Sequence, residues 1–237
     1  MINFGWILMA RTQELQDARP YHHGDLRRAI VKAALDLLGE TQSLEFSLRE
    51  LARRAGVSHN APYKHFADKR ELLAAVSAGG FDVLTRRMAR EIAGLRDPHA
   101  RLSAMMGAYV RHGVENPALY RLMFGGYLSA PDKARPAIER AAAEETKALL
   151  ASAIVDGALG RPIPASARNE RRISGAILAC WSLLHGLTLL VVDGLVGPPE
   201  KANELCESLV EGMLKGLNVK LPTLPPGAWV GPQVSAT

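Results

Sequence analysis

The chain has 237 residues, a formal net charge of +5, a hydrophobic content of 48% and an aromatic content of 5%. This balance is typical of a water-soluble domain with enough apolar material for a core. The two cysteines, Cys180 and Cys206, form no CxxC pair, which excludes the common metal and redox motifs. Alanine and leucine dominate, and because they are strong helix formers, we expect an all-α fold.

The two ends of the chain are expected to lie outside the folded part. Residues 2–10 are apolar, but the stretch is short, follows no basic segment and lacks a small-residue cleavage site, so no signal peptide is expected. We predict a disordered extension over residues 1–20, or translation that starts at Met9 rather than Met1. Residues 221–237, which contain several prolines, are predicted to be a disordered tail.

A second apolar run covers residues 181–196. His185, Asp193 and several glycines interrupt it, and it is too short for a membrane span. We therefore expect a buried helix, no membrane contact and a cytoplasmic protein.

Apolar residues at intervals of three and four begin after Pro20 and predict a first helix, which Gly39 and the polar residues 40–43 end. The stripe consists of Leu26, Ile30, Ala33, Ala34, Leu37 and Leu38.

Cap signals divide the next part of the chain into short helices. A capping box at Ser47 and Glu50 predicts a helix that Gly56 ends in a left-handed conformation. Ser58 is predicted to cap the next helix, which runs to about Phe66. Asp68 and Asp97 are predicted to cap two further helices, over about 68–94 and from 97 onward. Other helices are predicted from 116 to about 124 and over about 136–155, 169–195 and 200–217, with a loop at 157–166.

Residues 47–66 predict a helix-turn-helix. The two short helices are separated by residues 55–58, where Gly56 supplies the left-handed backbone of the turn. An apolar inner face is supplied by Leu48, Leu51, Ala52 and Val57. Residues 47–70 also hold six basic side chains against two acidic ones, and this concentration of positive charge suits contact with DNA phosphates.

Small polar residues open the second helix of this motif. His59 and Asn60 are predicted to face base edges in the major groove, where asparagine can pair bidentately with adenine. Phe66 is expected to pack inward. The other predicted DNA-binding residues are Arg49, Ser58, Tyr63, Lys64, His65 and Lys69, of which the last four would lie nearer the phosphate backbone.

The segment from His23 to Val76 resembles the DNA-binding domain of the TetR family of transcriptional regulators. The resemblance is carried by the pattern Tyr-x-His-Phe-x-x-Lys-x-x-Leu, which stands at Tyr63, His65, Phe66, Lys69 and Leu72. It implies a three-helix DNA-binding domain over residues 21–80, followed by a larger helical domain for ligand binding and dimerisation over residues 81–220.

The resemblance also implies how the protein works. Family members are usually homodimeric repressors that bind a pseudo-palindromic operator in the bacterial cytoplasm and leave it when a small-molecule effector binds. The phosphate-contacting positions of the family fall on Ser47, Tyr63 and Lys69, whereas Pro62 stands where a large aliphatic residue is usual. No cofactor, metal or enzymatic activity is expected, and the effector itself is not identified.

The pattern Trp181-x-x-x-His185-Gly186 resembles a TetR subgroup marked by Trp-His-Gly. Trp181 and His185 share a helix face, which suits a pocket with an apolar wall and one polar anchor. A core tryptophan beside a hydrogen-bonded histidine is the alternative, and Gly186 predicts close helix packing. Further pocket candidates, each also compatible with an ordinary core, are Met105, Met106, Tyr109, Met123, Phe124 and Tyr127.

The last two helices carry more apolar residues than one small core can bury. This surplus predicts a four-helix dimer interface, and a two-fold dimer would present two reading heads to two operator half-sites. The candidate interface residues are Leu183, Leu187, Leu190, Leu205, Leu209 and Met213. A ligand bound between about 97 and 195 is expected to move the long helix at 69–94 and so change DNA affinity.

Two other functions compete with this interpretation. A helical enzyme could assemble an acid–base site from His185 with Asp193 or Glu115, although the sequence has no nucleophile elbow, metal cluster or phosphate loop. A structural or lipid-binding helical bundle is the other alternative.

Overall fold

The computed structural model describes residues 23–128, 134–159 and 167–219. The predicted N-terminal extension, the tail and most of the predicted loop at 157–166 lie outside these ranges. Within them the chain forms nine α-helices and no strand, so the all-α prediction is confirmed. The helices are α1 His23–Thr41, α2 Leu48–Arg54, α3 Ala61–His65, α4 Lys69–Glu91, α5 Pro98–Glu115, α6 Pro117–Phe124, α7 Ala137–Ile154, α8 Ala167–Val192 and α9 Ala202–Val219. Short 3₁₀ turns at Gly126–Leu128 and Pro199–Lys201 and a π-helical turn at Val155–Leu159 complete the described part.

The first helix is longer than the sequence predicts. Gly39 does not end α1, which continues to Thr41 before Gln42 takes a left-handed backbone with φ of 51°. The Gln42 N–H donates to the Leu38 carbonyl at 2.9 Å, and its side-chain amide donates to the Gly39 carbonyl at 3.0 Å. These two bonds satisfy carbonyls of the last turn, which is the role the prediction gave to glycine.

Only one of the two hydrogen bonds of the predicted capping box is present at the N-terminus of α2. Ser47 Oγ accepts a hydrogen bond from the Glu50 N–H at 3.1 Å. The Glu50 carboxylate is directed instead toward Arg54, whose Nε lies 3.7 Å away. At the other end Gly56 has φ of 67°, which confirms the left-handed turn.

Helix α3 is the second helix of the predicted helix-turn-helix, and in such a motif this helix is the recognition helix. It is shorter than predicted, because Ser58 is not its cap. The Ser58 carbonyl accepts from the Ala61 N–H at 2.9 Å within a turn, and Asn60 occupies the cap position without a side-chain cap bond. Pro62 lies in the first turn, where a missing N–H removes no helical bond. Asp68 caps α4 and Asp97 caps α5 through their carboxylates, as predicted.

The long helix α4 is the centre of the molecule. It packs against α1 in the N-terminal part and against α5, α6 and α7 in the C-terminal part. Its buried side chains form one continuous core with those of its neighbours. Only residues 66–68 separate α3 from α4, so α4 joins the short N-terminal helices to the C-terminal part of the molecule.

The contact between α4 and α6 is tight at Gly80. A Cβ atom at this position would lie 2.6 Å from Met123 Sδ, closer than real Cβ contacts, and 3.0 Å from Leu119 Cδ1, which is tighter than most of them. An added side chain would therefore have to displace the side chains of Met123 and Leu119.

The helix α8 is longer than the interrupted run seen in the sequence, because it begins at Ala167. By length and composition alone, Ile173–Val192 could cross a membrane, with a mean hydropathy of 2.0. However, Ile177, Cys180, Leu184 and Val191 lie in the core against α5 and its neighbours. The buried helix that the sequence predicts is therefore the better description of α8.

We predict that Gly80→Val destabilises the protein by about 1–3 kcal/mol, because an added side chain overpacks the α4–α6 contact. The matched control is Gly39→Val, since a Cβ at this helical glycine has no heavy atom within 4 Å. Urea unfolding of both variants isolates the packing cost from the shared change in helix propensity. Equal loss of stability in the two variants would contradict the close contact.

Candidate DNA interface and effector pocket

The predicted reading residues lie on one exposed surface. Ser58, His59 and Asn60 are exposed in the turn before α3, and Tyr63 on the helix is 57% exposed. The opposite side of α3 is anchored by the buried residues Ala61, Pro62 and Phe66, so Phe66 packs inward as predicted. The inner side of α3 is thus held by the core, while its outer side is exposed and could enter a groove of DNA.

Only part of the positive charge around this surface is available for phosphate. Arg54 donates to the Glu40 carboxylate at 2.7 Å, and Arg70 donates to the carbonyls of Leu128 and Ala134 at 2.9 and 2.8 Å. The exposed side chains that make no ion pair with any described residue are Arg49, Arg53 and Lys64. The concentration of charge in the sequence therefore overstates the number of phosphate contacts.

Lys69 has a structural role beside its predicted one. Its Nζ donates to the Leu44 carbonyl at 3.0 Å and lies 5.0 Å from the centre of the Phe46 ring. An ammonium group has three donors, so two remain for a phosphate. The exposed hydroxyl of Ser47 is similarly free to donate, because its oxygen serves the helix cap only as an acceptor.

A cavity of about 220 Å³ opens between α4, α6, α7 and α8. Four of the predicted pocket residues, Met123, Phe124, Trp181 and His185, line it. Its other lining residues are Phe81, Arg135, Glu139, Arg140, Ala143, Glu144 and Lys147.

Three of the predicted pocket residues, Met105, Tyr109 and Tyr127, do not line this cavity, and neither does Met106, which was a further candidate. Met105, Met106 and Tyr109 are buried in the core, and Tyr127 was wrongly placed because it is 56% exposed in the turn after α6. The sequence missed the charged lining residues of α7, because their spacing of three and four is typical of a solvated helix face. The pairing of Lys147 with Glu144 at 2.9 Å is of that kind.

A hydrogen-bonded chain of side chains backs the cavity. Trp181 Nε1 donates to the Tyr109 hydroxyl at 3.2 Å, and the Tyr120 hydroxyl donates to the same oxygen at 3.0 Å. The Tyr120 hydroxyl also lies 2.7 Å from His185 Nδ1. Trp181 and His185 therefore line a cavity and also belong to a hydrogen-bonded network, and their role in ligand binding stays a prediction.

Glu139 is the most unusual residue of the cavity. Its side chain is fully buried; Oε1 accepts from Arg135, whereas Oε2 has no hydrogen-bond partner. Burial raises the pKa of this carboxyl, and the nearby Arg135 and Lys147 oppose the rise. Ser77 on α4 also lowers the pKa of Glu139 through a side-chain hydrogen-bond interaction, although the geometry of Ser77 Oγ does not meet the criteria of a full hydrogen bond.

The outer face of α8 and α9 keeps part of the predicted apolar surplus. Leu190 and Leu209 are 41% and 42% exposed, and Leu183 is half-buried. Leu187 is buried within the chain and was wrongly assigned to an interface. Leu205 and Met213 pack partly against the core.

Gly186 does not support a close helix contact within the chain. A Cβ at this position would meet nothing within 4 Å, so the predicted close helix packing is not made within the described part of the chain and stays a prediction. The open space lies on the same side of α8 as Leu183 and Leu190, at intervals of three and four residues.

The residues of the rival enzymatic site are engaged elsewhere. Glu115 pairs with Arg87, Asp193 pairs with Arg121, and His185 contacts Tyr120. Among the described residues, no group of three or more His, Cys, Asp or Glu side chains could hold a metal ion.

Two family models match the chain in succession. Residues 30–76 match the model of bacterial regulatory proteins of the tetR family, and residues 102–213 match the tetracyclin repressor-like C-terminal domain. The chain belongs to the TetR family of transcriptional regulators. It is therefore a DNA-binding regulator, whereas the Trp-His-Gly subgroup stays a prediction.

Solved structures agree with this assignment. A protein of unknown function from Rhodococcus sp. RHA1 is 30% identical, with a TM-score of 0.65 over 84% of this chain and 98% of that one. A regulatory protein in the tetR family from Rhodococcus RHA1 is 22% identical, with a TM-score of 0.56 over 81% and 96%. FadR from Bacillus subtilis, solved with stearoyl-CoA, is 15% identical, with a TM-score of 0.60 over 80% and 98%. No curated protein sequence matches the chain.

We predict that His112 makes the fold sensitive to mild acid. The imidazole is buried with neither ring nitrogen bonded, and burial, aided by Arg87, lowers its pKa from 6.5 to about 4. The unfolded chain takes up this proton first, so stability is lost as pH falls from 6.5 toward 4, by about 3 kcal/mol in total.

The variant His112→Leu should flatten the dependence of the unfolding free energy on pH over that window. His99→Leu removes an exposed histidine of the same helix and is the control. Denaturant titrations at several pH values measure both. If the wild type and His112→Leu show the same dependence of the unfolding free energy on pH, the prediction is refuted.

Proposed function

We propose that the protein is a homodimeric transcriptional repressor of a pseudo-palindromic operator, released when a small molecule occupies the cavity between α4 and α6–α8. The observation that carries this proposal is that the cavity wall includes α4 itself, through Phe81. An effector there acts on the helix that begins directly after the recognition helix.

Three contacts connect the cavity to α4 and so to the proposed DNA-binding helices α1–α3, which we call the head. The cavity residues Phe124 and Met123 meet α4, the first through a ring contact with Phe81 at 5.2 Å and the second at Gly80. Arg70, in the first turn of α4, donates to Leu128 and Ala134, which lie close in sequence to the cavity residue Arg135. A shift of α6 thus changes the position of α4 at two points.

A further connection reaches α1. Gln42, which ends α1, accepts a hydrogen bond from the Ala118 N–H at the start of α6, at 3.2 Å. The head is therefore held to α6 both directly and through α4. If the ligand-bound and DNA-bound states favour different positions of α6, each ligand weakens binding of the other by the same factor.

The likeness to a ligand-bound relative supports a small-molecule effector in general terms. The structure of FadR from Bacillus subtilis was solved with stearoyl-CoA, in a fold with a TM-score of 0.60 to this one. A cavity of 220 Å³ is small for such a molecule, since pockets for drug-sized ligands span about 300–1,000 Å³. We therefore expect a smaller effector here.

Dimerisation through α8 and α9 is supported by their exposed apolar residues. Leu190 and Leu209 belong to the two helices, and Gly186 leaves room for the close approach of a partner helix. We propose Leu183, Leu190 and Leu209 as the centre of a four-helix interface, with Leu205 and Met213 at its inner edge.

DNA binding is tested by gel shift on the DNA upstream of the protein's own gene. We predict that Lys64→Ala weakens operator and unrelated DNA alike and lowers the salt dependence by about one counterion, because the exposed ammonium contacts phosphate. Asn60→Ala should cost about 1–3 kcal/mol on the operator alone, because a base contact is lost.

Lys32→Ala serves as the control, since this exposed lysine of α1 pairs with Asp36 at 2.5 Å. Operator binding that resists salt and is indifferent to Lys64 and Asn60 would rule out the proposed reading face. No sequence-selective binding at all would favour the structural or lipid-binding alternative.

We predict that Leu190→Glu and Leu209→Glu each convert the dimer to monomers, because a charge is placed in a buried apolar interface. Operator affinity should fall with dimerisation, since only one half-site is then contacted. Leu195→Glu is the control, because Leu195 is 69% exposed and lies in the turn after α8. Sedimentation equilibrium measures the oligomeric state of each variant, and dimers in both test variants would exclude this interface.

A further inference from the structure

Two neighbouring cations at the start of α4 face in opposite directions. Lys69 Nζ donates to the Leu44 carbonyl in the loop between α1 and α2, so this side chain faces the head. Arg70 donates to the carbonyls of Leu128 and Ala134 at 2.9 and 2.8 Å, so it faces the C-terminal part of the chain. The two side chains therefore have different roles, although the sequence places them in one basic stretch.

The bonds of Arg70 are suited to fixing two parts of the protein relative to each other. One nitrogen of the guanidinium, Nη2, donates to both carbonyls, and a hydrogen bond from a charged donor is about twice as strong as one between neutral groups. Backbone carbonyls do not rotate away as a side-chain acceptor does. The 3₁₀ turn after α6, which ends at Leu128, is thereby fixed to the first turn of α4.

The other end of α6 is held by Gln42. The Oε1 atom of Gln42 accepts a hydrogen bond from the Ala118 N–H at 3.2 Å. This bond replaces a missing cap, because Asn116 occupies the cap position of α6 while its side chain donates to the His112 carbonyl. The residue that follows α1 therefore supplies the cap of α6.

The backbone of Gln42 has an unfavourable conformation. Among the residues that the structure describes, it is the one non-glycine residue with a positive φ, at 51°. Such a conformation persists where the surrounding contacts over-determine it, and it is frequent in switch regions. Three bonds fix it here, from its N–H to Leu38, from its amide nitrogen to Gly39 and from Ala118 to its amide oxygen.

On the side of α7 the head is next to open space. A groove of about 570 Å³ lies between α1, α4 and α7. Val31 and Leu35 of α1 line it together with Ile138 and Ala142 of α7. A head that is released from α6 has room to tilt into this groove.

From these contacts we infer that Arg70 and Gln42 are positioning residues of DNA binding, which hold the head at the two ends of α6 and do not touch DNA. When either contact is removed, the head samples further orientations, and only part of the population fits the operator. The inference rests on the operator binding of the proposed function, but not on the repressor role or on an effector.

Pulsed electron paramagnetic resonance of the full chain measures the orientation of the head without DNA. Spin labels are attached at Arg53→Cys on α2 and Ala148→Cys on α7, two exposed positions. The native Cys180 and Cys206 are buried, so the labels react at the introduced positions. Labelled chains are diluted with unlabelled ones, so that the measured distance lies within one chain.

We expect Arg70→Gln to broaden the distribution of this distance. Arg86→Gln is the matched control and should leave the distribution narrow, because it removes the same charge from an exposed arginine of the same helix. Gln42→Met, which keeps the length of the side chain and removes the acceptor, should broaden the distribution as well. Gln42→Glu should leave it narrow, because a carboxylate oxygen still accepts from the Ala118 N–H.

The two contacts are tested separately, so the inference stays testable if one variant fails to fold. Narrow distributions in both Arg70→Gln and Gln42→Met would overturn it. Broadening in only one of them would overturn the role of the other residue.

Gel shifts on the DNA upstream of the protein's own gene measure the consequence for binding. Arg70→Gln should weaken operator binding about three- to tenfold, as for a head that is competent for a third to a tenth of the time. The salt dependence should stay that of the wild type, because no phosphate contact is lost. Lys64→Ala provides the contrast, since the loss of a phosphate contact lowers the salt dependence by about one counterion.

Two results with DNA would overturn the inference. A salt dependence that falls by one counterion in Arg70→Gln would identify this residue as a phosphate contact. A broadened distance distribution with unchanged operator affinity would leave Arg70 with a structural role alone. A wild-type chain without selective operator binding would instead refute the proposed function, while the distance distributions would still establish whether Arg70 and Gln42 hold the head.

Discussion

The contact between α4 and α6 at Gly80 is the constraint on which the rest of the molecule depends. Met123 and Leu119 approach the backbone of α4 because no side chain separates them. The neighbouring residues of the same two helices, Phe81 and Phe124, form the apolar wall of the cavity. Under the proposed function, stability and ligand response would use the same pair of helices, so that a change in one would affect the other.

Polar bonds join the two halves of the protein at a small number of points. Arg70 in the first turn of α4 donates to the Leu128 carbonyl, and Gln42 accepts from the Ala118 N–H at the start of α6. These bonds orient the helices more than they stabilise them, since each net contribution is about 1 kcal/mol. Such a junction suits two positions of similar free energy, as a ligand-controlled switch requires.

The sequence predicted features that arise from local chemistry. The caps at Asp68 and Asp97, the left-handed Gly56 and the inward Phe66 depend on a few neighbouring residues, and they are present. Features that depend on distant partners were predicted less well. Leu187 and Leu190 have the same side chain on the same helix, yet one faces the core and the other does not, and periodicity alone does not identify the face. The lining residues of α7 were missed for a related reason, because a charged residue beside a cavity has the same spacing as one in solvent.

The division of the cavity wall has an evolutionary consequence. Its apolar side is shared with the core, so substitutions there threaten folding. Its polar side comes largely from α7, where Arg140 is exposed and Glu144 and Lys147 are only partly buried. Exchanges at these positions cost little stability and, under the proposed function, can alter which molecule is recognised. A lineage with this architecture can therefore acquire a new chemical signal by changing a few residues of one helix, while it retains its operator and its fold.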